Sequence, residues 1–192
     1  MIIGLTGSMG CGKGEVVNIL DKMGFKYITL SMMVREEARK RGIEEEREKL
    51  MEVGNSMRKT EGAGVLAKRA VAQILASGHD KWIIDGIRNP AEIDEIKKTP
   101  DTYIIGIHAD KNLLADRILS RARESDSKDR AEILRKIERE LGEGEPEDGQ
   151  QVGKCMQKVD KVIKNEGTLQ ELQENFTNYY NSINTQGHGV ET

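Results

Sequence analysis

The chain has 192 residues, of which 36% are hydrophobic and 33% are charged, and its formal net charge is −3. This balance suits one globular domain with a strongly charged surface, and it excludes a disordered chain. The mild charge gives no indication of specific nucleic-acid binding, and no apolar run approaches the length that spans a bilayer.

Five short apolar runs predict β-strands, at residues 1–6, 25–30, 82–85, 103–107 and 159–163. Apolar residues at helical spacing predict helices between them, at residues 13–23, 31–77, 111–141 and 169–180, with a short helix starting at Pro90. Short apolar strands separated by helices are typical of a parallel sheet covered on both faces. The sequence therefore predicts an α/β fold with three layers around a five-stranded parallel sheet.

A single domain is predicted over residues 1–183, followed by a flexible tail at 184–192. Two helical segments, 31–77 and 111–141, are longer than the usual connections of a compact α/β domain. Insertions of this kind often bind a substrate or close over it. We therefore expect an acceptor-binding lobe at 31–77 and a lid-like insertion at 111–141, with GEGEPEDG at 142–149 as a loop.

The cysteines and the start of the chain bear on its compartment. Cys11 and Cys155 are the two cysteines, and they form no disulfide framework. The first apolar run is short and lacks the basic residues of a secretory signal. We expect a cytoplasmic protein that is a monomer or a homodimer.

The stretch GSMGCGKGE, residues 7–15, has the glycine spacing of a phosphate-binding loop. Glycines let the backbone turn its N–H groups around phosphate oxygens, and the following helix N-terminus adds a positive partial charge. Lys13 can bridge the outer phosphates, although a tight glycine turn with a surface lysine is the other interpretation. The predicted ATP-binding residues in this stretch are Gly7, Ser8, Met9, Gly10, Cys11, Gly12, Lys13, Gly14 and Glu15.

The position after Lys13 departs from the usual phosphate loop, which has Ser or Thr there to reach Mg²⁺. Gly14 has no hydroxyl, so the ion would be held by water, by nucleotide phosphates and by a further carboxylate. This change weakens a GTPase interpretation more than it weakens phosphate binding. Glu15 stands at the positive end of the predicted helix, where it either favours the helix dipole or acts on the metal.

Two segments resemble adenylate kinases. These enzymes also have G-x-x-G-x-G-K-G after the first strand, which matches residues 7–14, although they normally continue with Thr where this chain has Glu15. LSMMVREEA at 30–38 is similar to the segment in which a Ser or Thr and an Arg receive a nucleoside monophosphate. The resemblance implies substrate-binding roles for Ser31 and Arg35.

The resemblance extends towards the C-terminus. IIDGIR at 83–88 is similar to the adenylate-kinase strand that ends in Asp-Gly, followed by an Arg on the acceptor phosphate. DKVIKNEGTLQEL at 160–172 resembles the last strand of dephospho-CoA kinases, which implies that Asn165 lies near the adenine. Over nearly all of residues 1–180 the chain resembles a largely archaeal P-loop family related to dephospho-CoA kinase, UPF0200. The resemblance implies a P-loop NTPase fold that uses ATP and Mg²⁺.

Two candidate transfer residues lie at the end of the third predicted strand. Asp85 can accept a hydrogen bond from metal-bound water in place of the missing hydroxyl, or it can serve as a turn residue before Gly86. Arg88 offers a fork that matches a phosphate group. Arg35 offers the same fork one turn after Ser31, the predicted N-cap, but its helix has many charges that would also form ordinary i,i+4 pairs.

The second insertion contributes further arginines. Between residues 117 and 139, eight basic residues stand against five acidic ones. A lid that closes on a transferring phosphoryl group would have this pattern, and so would an ordinary charged helical hairpin. Arg117 and Arg121 are preferred because they lie one turn apart just after the fourth strand. The candidate catalytic residues are Lys13, Asp85, Arg88, Arg117 and Arg121.

The sequence also bears on the phosphoryl acceptor. A hydroxyl acceptor benefits from a nearby carboxylate base. Dephospho-CoA kinases have Asp-x-Asp after the second strand, whereas this chain has Leu30-Ser31-Met32. The sequence therefore favours transfer to a nucleoside monophosphate, which needs no base. Two alternatives stay open: transfer to a sugar hydroxyl, as in dephospho-CoA kinase, and an ATP-binding switch or slow ATPase.

Overall fold

A five-stranded parallel sheet forms the middle layer of the part of the chain that the structure describes, residues 1–123 and 126–186. This computed structural model orders the strands β2-β3-β1-β4-β5, and each neighbouring pair is parallel. The strands are β1 Ile2–Thr6, β2 Lys26–Thr29, β3 Trp82–Ile87, β4 Thr102–His108 and β5 Lys161–Lys164. The predicted α/β fold and its five-stranded parallel sheet are confirmed.

Helices cover both faces of this sheet. Their bounds are α1 Lys13–Lys22, α2 Leu30–Lys40, α3 Arg47–Glu61, α4 Val65–Ser77, α5 Pro90–Ile96, α6 Lys111–Arg121, α7 Arg130–Leu141, α8 Val152–Cys155 and α9 Leu169–Gln186. The sequence does not predict α8, because four residues have too little periodicity to indicate a helix. In the described part of the chain, no helix is long and apolar enough to cross a membrane.

Both predicted insertions are helical, and a helix also covers the first residues of the predicted tail. Segment 31–77 contains three helices, α2 to α4, and segment 111–141 contains the pair α6 and α7. Helix α9 includes residues 184–186, the first part of the predicted tail, and residues 187–192 lie outside the described residues.

The hydrophobic core has two parts, one on each face of the sheet. Alternate strand residues point to opposite faces, so Ile3 and Leu5 pack with α1, α6, α7 and α9. Ile2 and Ile84 pack instead with α2, α3, α4 and α5. The helices of segment 31–77 and helix α1 therefore lie on opposite faces of the sheet, and α1 and α2 both begin near the carboxyl edge, after β1 and β2.

The predicted lid is largely part of the core. Ile118 of α6 and Ile133 and Ile137 of α7 are almost fully buried in the cluster that also contains α1 and α9. Ala122 and Arg123, which follow α6, are exposed. The buried isoleucine side chains tie α6 and α7 to the core, and a lid movement of segment 111–141 stays a prediction.

A bulge brings the ends of β1 and β3 together. The pairing of these strands shifts between Leu5 and Thr6, opposite Gly86, whose φ of 81° is open to glycine but strained for other residues. The buried Thr6 hydroxyl donates to the carbonyl of Ile87 at 2.8 Å. The bulge thus fixes where Arg88 leaves the sheet relative to the loop that follows β1.

Candidate nucleotide-binding and transfer site

The loop between β1 and α1 has the backbone conformation that its glycines predict. Gly7, Gly10 and Gly12 all have positive φ values, of 144°, 77° and 103°. A Cβ on Gly7 would lie 2.4 Å from the carbonyl oxygen of Ile107, so no larger residue fits there. Helix α1 begins without a side-chain cap, which leaves its first amide donors available for an anion.

Lys13 folds back over this loop. Its Nζ donates to the carbonyl oxygens of Gly7 at 2.5 Å and Ser8 at 3.2 Å, and it lies 3.6 Å from the Sγ atom of Cys11. The ammonium group is thus already gathered over the concave side of the loop. These residues fit a nucleotide phosphate chain, because the positive charge, the turned backbone and the uncapped helix end converge on one place.

Asn165 connects the end of β5 to the same loop. Its Nδ2 donates to the carbonyl of Cys11 at 2.9 Å, and its backbone N–H donates to the carbonyl of His108 at 2.8 Å. A Cβ on Gly12 would lie only 2.4 Å from that Nδ2 atom. The predicted nucleotide-binding residue Asn165 is therefore in direct contact with the phosphate loop.

Arg117 lies against this contact, whereas Arg121 is paired elsewhere. The Nη1 atom of Arg117 donates to the carbonyl of Asn165 at 2.8 Å. Arg121 forms a two-point pair with Asp126, at 2.7 and 3.1 Å. The structure thus brings Arg117 to the loop after β5, at the side of the site away from Arg88, and it records no contact of Arg121 with the phosphate loop among the described residues.

Arg88 is joined to the phosphate loop through a carboxylate that the sequence did not indicate. The Nη1 atom of Arg88 donates to Glu140 Oε1 at 2.7 Å and to Gln150 Oε1 at 2.8 Å. The other oxygen of Glu140, Oε2, accepts the backbone N–H of Met9 at 2.8 Å. Glu140 is 5% exposed, so the three groups form a short, partly buried chain from the third strand to the loop.

The turn that presents Arg88 is built from buried polar groups. Asn89 caps α5 in a capping box with Glu92, whose Oε2 atom accepts the backbone N–H groups of both Arg88 and Asn89. The other oxygen of Glu92 accepts from the buried Arg58 at 3.2 Å. The Asn-Pro-x-Glu sequence signals this cap, but the sequence shows no sign of the Arg58 contact, which spans two distant helices.

The predicted loop at 142–149 and the residues that follow it form hydrogen bonds to the turn at Arg88 and Asn89. Asn89 Nδ2 donates to the carbonyls of Glu147 and Gly149 at 2.8 and 2.9 Å, and the N–H of Gln151 donates to the carbonyl of Arg88 at 2.6 Å. We call residues 142–151 the docked loop. It contributes Gln150 to the Arg88 contact, so it is part of the candidate site.

Asp85 lies one strand away from the phosphate loop. In the parallel register, Asp85 pairs with Leu5 of β1 and Thr29 of β2. Its side chain therefore points, like that of Leu5, to the face of the sheet that α1 covers. Its carboxylate accepts the Tyr27 hydroxyl at 3.0 Å and the N–H of Gly86 at 2.6 Å. The turn role is therefore present, and a role towards metal-bound water stays a prediction. Burial and the Asp85 carboxylate raise the pKa of Tyr27 to about 12.

The acceptor-side residues are open to solvent. The side chain of Arg35 is 51% exposed, and it forms a long ion pair of 3.8 Å with Glu45. Ser31 is exposed, but it is not the N-cap of its helix. Thr29 caps α2, accepting the N–H of Ser31, because the helix begins earlier, at Leu30. Ser31 and Arg35 therefore lie in the first two turns of α2, where the Ser31 hydroxyl shares a hydrogen bond with the Thr29 hydroxyl at 3.1 Å, and their acceptor-binding roles stay a prediction.

The side chains near the phosphate loop limit how Mg²⁺ could be bound. Within residues 1–123 and 126–186, no cluster of three or more His, Cys, Asp or Glu side chains could hold a metal ion. Gly14 opens onto free space, since a Cβ there would meet no atom within 4 Å. The donor set fits an ion that is bound mainly through nucleotide phosphates and water, with Asp85 as the predicted outer carboxylate.

Together, the strand order, the glycine loop after β1 and the helical segments at the carboxyl edge define a P-loop protein with a kinase-like fold. A family model described as "AAA domain" matches residues 6–135. A UPF0200 protein of Methanothermobacter thermautotrophicus is 34% identical over 170 residues, which cover 88% of this chain and 83% of that protein. The chain belongs to the UPF0200 family.

Solved structures show the same fold at low sequence identity. A shikimate kinase from Acinetobacter baumannii, in complex with shikimate, has a TM-score of 0.55 at 12% identity, covering 99% of this chain and 95% of that one. A gluconokinase from Sinorhizobium meliloti has a TM-score of 0.51 at 13% identity, covering 97% of each chain. These likenesses establish the P-loop kinase-like fold.

Proposed function

We propose that this protein is an ATP-dependent small-molecule kinase that transfers the γ-phosphoryl group of ATP to a nucleoside monophosphate-type acceptor. The observation that carries the proposal is the position of Arg88. Its Nη1 atom is tied to the phosphate loop through Glu140, while its Nε and Nη2 atoms have no recorded partner among the described residues. An arginine with one open edge beside a phosphate loop suits an anionic acceptor.

In the transfer, a bond forms between an acceptor oxygen and the γ-phosphorus. The bond from that phosphorus to the β,γ-bridging oxygen breaks, and ADP leaves with the electron pair. Lys13 and the loop amides would neutralise the charge on the transferring group, and Arg88 and Arg35 would orient the acceptor phosphate. Asn165 and Arg117 would shape the nucleoside end of the site. Mg²⁺, when bound with ATP, supplies further neutralisation of phosphate charge.

Transfer to a hydroxyl is the second candidate. The kinases with similar structures are named for shikimate and gluconate, and both compounds have hydroxyl groups. Such an acceptor must lose a proton, and Asp85 is a carboxylate on the face of the sheet that carries α1. The Asp85 hydrogen bonds to Tyr27 and Gly86 make it less available as a base, so the phosphate acceptor is preferred.

The test is ADP release in a coupled assay with ATP and Mg²⁺, against nucleoside monophosphates, dephospho-CoA, shikimate and gluconate. We expect a nucleoside monophosphate to stimulate turnover most. Stimulation by a hydroxyl acceptor alone would favour the second candidate, and tight ATP binding without any stimulation would favour a switch or slow ATPase. Lys13→Ala should abolish ATP binding, and unchanged binding in that variant would contradict all three functions.

A further inference from the structure

Glu140 is a buried carboxylate that the transfer chemistry described above does not use. It lies in the last turn of α7 and is 5% exposed. Each of its oxygens contacts a different part of the site: Oε2 accepts from the Met9 amide and Oε1 accepts from Arg88. A buried carboxylate is costly unless it is paired and hydrogen-bonded, so both contacts are needed to keep Glu140 in place.

The contact orients Arg88 in a specific way. Both hydrogens of its Nη1 atom are used, by Glu140 at 2.7 Å and by Gln150 at 2.8 Å. Nε and Nη2 form the other edge of the guanidinium, and that edge has no recorded partner within the described ranges. The side chain of Arg88 is 39% exposed. One edge is thus fixed by the protein, and the opposite edge is left for an anion.

We propose that Glu140 is a positioning residue for phosphoryl transfer, resting on the proposed kinase function. It holds the Nη1 edge of Arg88 and the Met9 amide at one point, so that the open edge of Arg88 stays in register with the phosphate loop. Because phosphoryl transfer depends on alignment, a small shift of Arg88 lowers the rate strongly.

Glu140 also lowers the charge that an anion meets at Arg88. Its carboxylate compensates part of the guanidinium charge, so it weakens anion binding while it improves alignment. The two effects have opposite signs. Loss of the carboxylate therefore separates binding from turnover, which a merely structural role would not do.

The experiment compares Glu140→Gln, Glu140→Asp and Arg88→Ala, with Glu138→Gln as the matched control. Glu138 is on the same helix but pairs with Lys111 at the surface. The binding probe is inorganic phosphate, titrated by calorimetry into protein saturated with ADP and Mg²⁺, so that the loop is already filled. The rate probe is ADP release with the best acceptor of the panel, or basal ATP hydrolysis if no acceptor stimulates turnover.

We expect Glu140→Gln to bind phosphate roughly 2- to 5-fold more tightly, because it removes a counter-charge from the partly exposed guanidinium of Arg88. We expect its turnover to fall roughly 10- to 100-fold, as misalignment does. Arg88→Ala should weaken phosphate binding, Glu140→Asp should restore part of the turnover, and Glu138→Gln should match the unmodified protein. In an Arg88→Ala background, Glu140→Gln should change turnover little further.

Three results would overturn the proposal. Phosphate affinity and turnover that fall together in Glu140→Gln would indicate a structural role. A full loss of turnover from Glu140→Gln in the Arg88→Ala background would indicate a direct role of Glu140. Unchanged phosphate affinity in Arg88→Ala would show that the open edge binds no anion. Failure to bind ADP or ATP is a different outcome and contradicts the kinase function itself, whereas any of these three results in protein that binds ADP contradicts only the Glu140 proposal.

Discussion

At the scale of single residues, Gly14 differs in kind from the other glycines of the loop. Gly7, Gly10 and Gly12 have positive φ values, and a Cβ on Gly7 or Gly12 would clash. Gly14 has neither constraint, since its surroundings are empty to 4 Å. Packing therefore does not require glycine at position 14. A residue with a hydroxyl can be introduced there as a test of metal binding.

Gly14→Thr is expected to lower the Mg²⁺ concentration that half-saturates ATP binding, because the hydroxyl adds a direct ligand. Stability should stay equal or rise by up to ~1 kcal/mol, since glycine is a poor helix residue. ATP titrations at several Mg²⁺ concentrations, with urea denaturation, measure both. Gly14→Ala is the control without a hydroxyl, and equal Mg²⁺ dependence in the two variants would contradict the expectation.

The contact between Tyr27 and Asp85 gives a second prediction for single residues. The pKa of Tyr27 is raised to about 12, by burial first and by the Asp85 carboxylate second. Asp85→Asn should lower this pKa towards, but not to, 10.0, because the burial remains. Tyrosinate absorbance measures the titration, and Tyr27→Phe identifies which of the four tyrosines is responsible.

The same shift has a consequence for stability at high pH. An unfolded Tyr27 ionises near 10.0, whereas the folded one ionises near about 12. Its contribution to stability is therefore fully present below about pH 10 and is lost as the pH rises towards 12. If Asp85→Asn left the pKa of Tyr27 unchanged, the hydroxyl would not be in contact with that carboxylate in solution.

At the scale of elements, the docked loop and the start of α5 form one unit through Asn89. The Oδ1 atom of this residue caps the helix by accepting the N–H of Ala91, and its Nδ2 atom holds the carbonyls of Glu147 and Gly149. Asn89 is 2% exposed, so water cannot easily replace these bonds. The docked loop, which contributes Gln150 to the site, therefore depends on the residue that caps the N-terminus of α5.

Asn89→Ala is expected to destabilise the protein by about 1 to 3 kcal/mol, because it removes a cap and leaves buried carbonyls without donors. Asn89→Ser keeps a capping oxygen without adding a charge, and it loses the two donors to the docked loop. The difference between the two variants in urea denaturation therefore measures the cap. Equal destabilisation by both would show that the cap contributes nothing.

At the scale of the whole molecule, one sheet separates two hydrophobic clusters. Leu20 on the α1 face and Met57 on the face that carries α2 to α5 are both fully buried. Because the three central strands, β3, β1 and β4, each contribute residues to both clusters, loss of one cluster should unfold the other. The predicted single domain over residues 1–183 thus implies one cooperative unfolding transition.

Leu20→Ala and Met57→Ala should each lower the free energy of unfolding by roughly 2 to 5 kcal/mol and shift the whole transition. Trp82 fluorescence reports the sheet. Labelling of Cys155 in a Cys11→Ala background reports the opposite end, since burial, with Glu92 nearby, raises the pKa of the Cys155 thiol to about 12 and suppresses its native reactivity. Transitions that differ between the two probes would contradict a single cooperative domain.

Local sequence patterns could be recognised in this chain, whereas contacts between residues far apart along it could not. The glycine loop and the sheet could be predicted because both are local patterns, a fixed spacing and an apolar period. Glu140 could not, because its partners Met9 and Arg88 are 131 and 52 residues away along the chain. Ser31 was wrongly predicted as a cap because Thr29, two residues earlier, offers the same hydroxyl chemistry.

The contact between Asn165 and Cys11 has a consequence for synthesis of the chain. The phosphate loop is translated well before the side chain that supports it, because Asn165 comes 154 residues after Cys11. Strand β5, which precedes Asn165, occupies the edge of the sheet and is the last strand to be translated. In a nascent chain on the ribosome, the phosphate loop would thus be present in sequence but would lack the hydrogen bond from Asn165. Nucleotide affinity should therefore arise only after Asn165 has emerged from the ribosome.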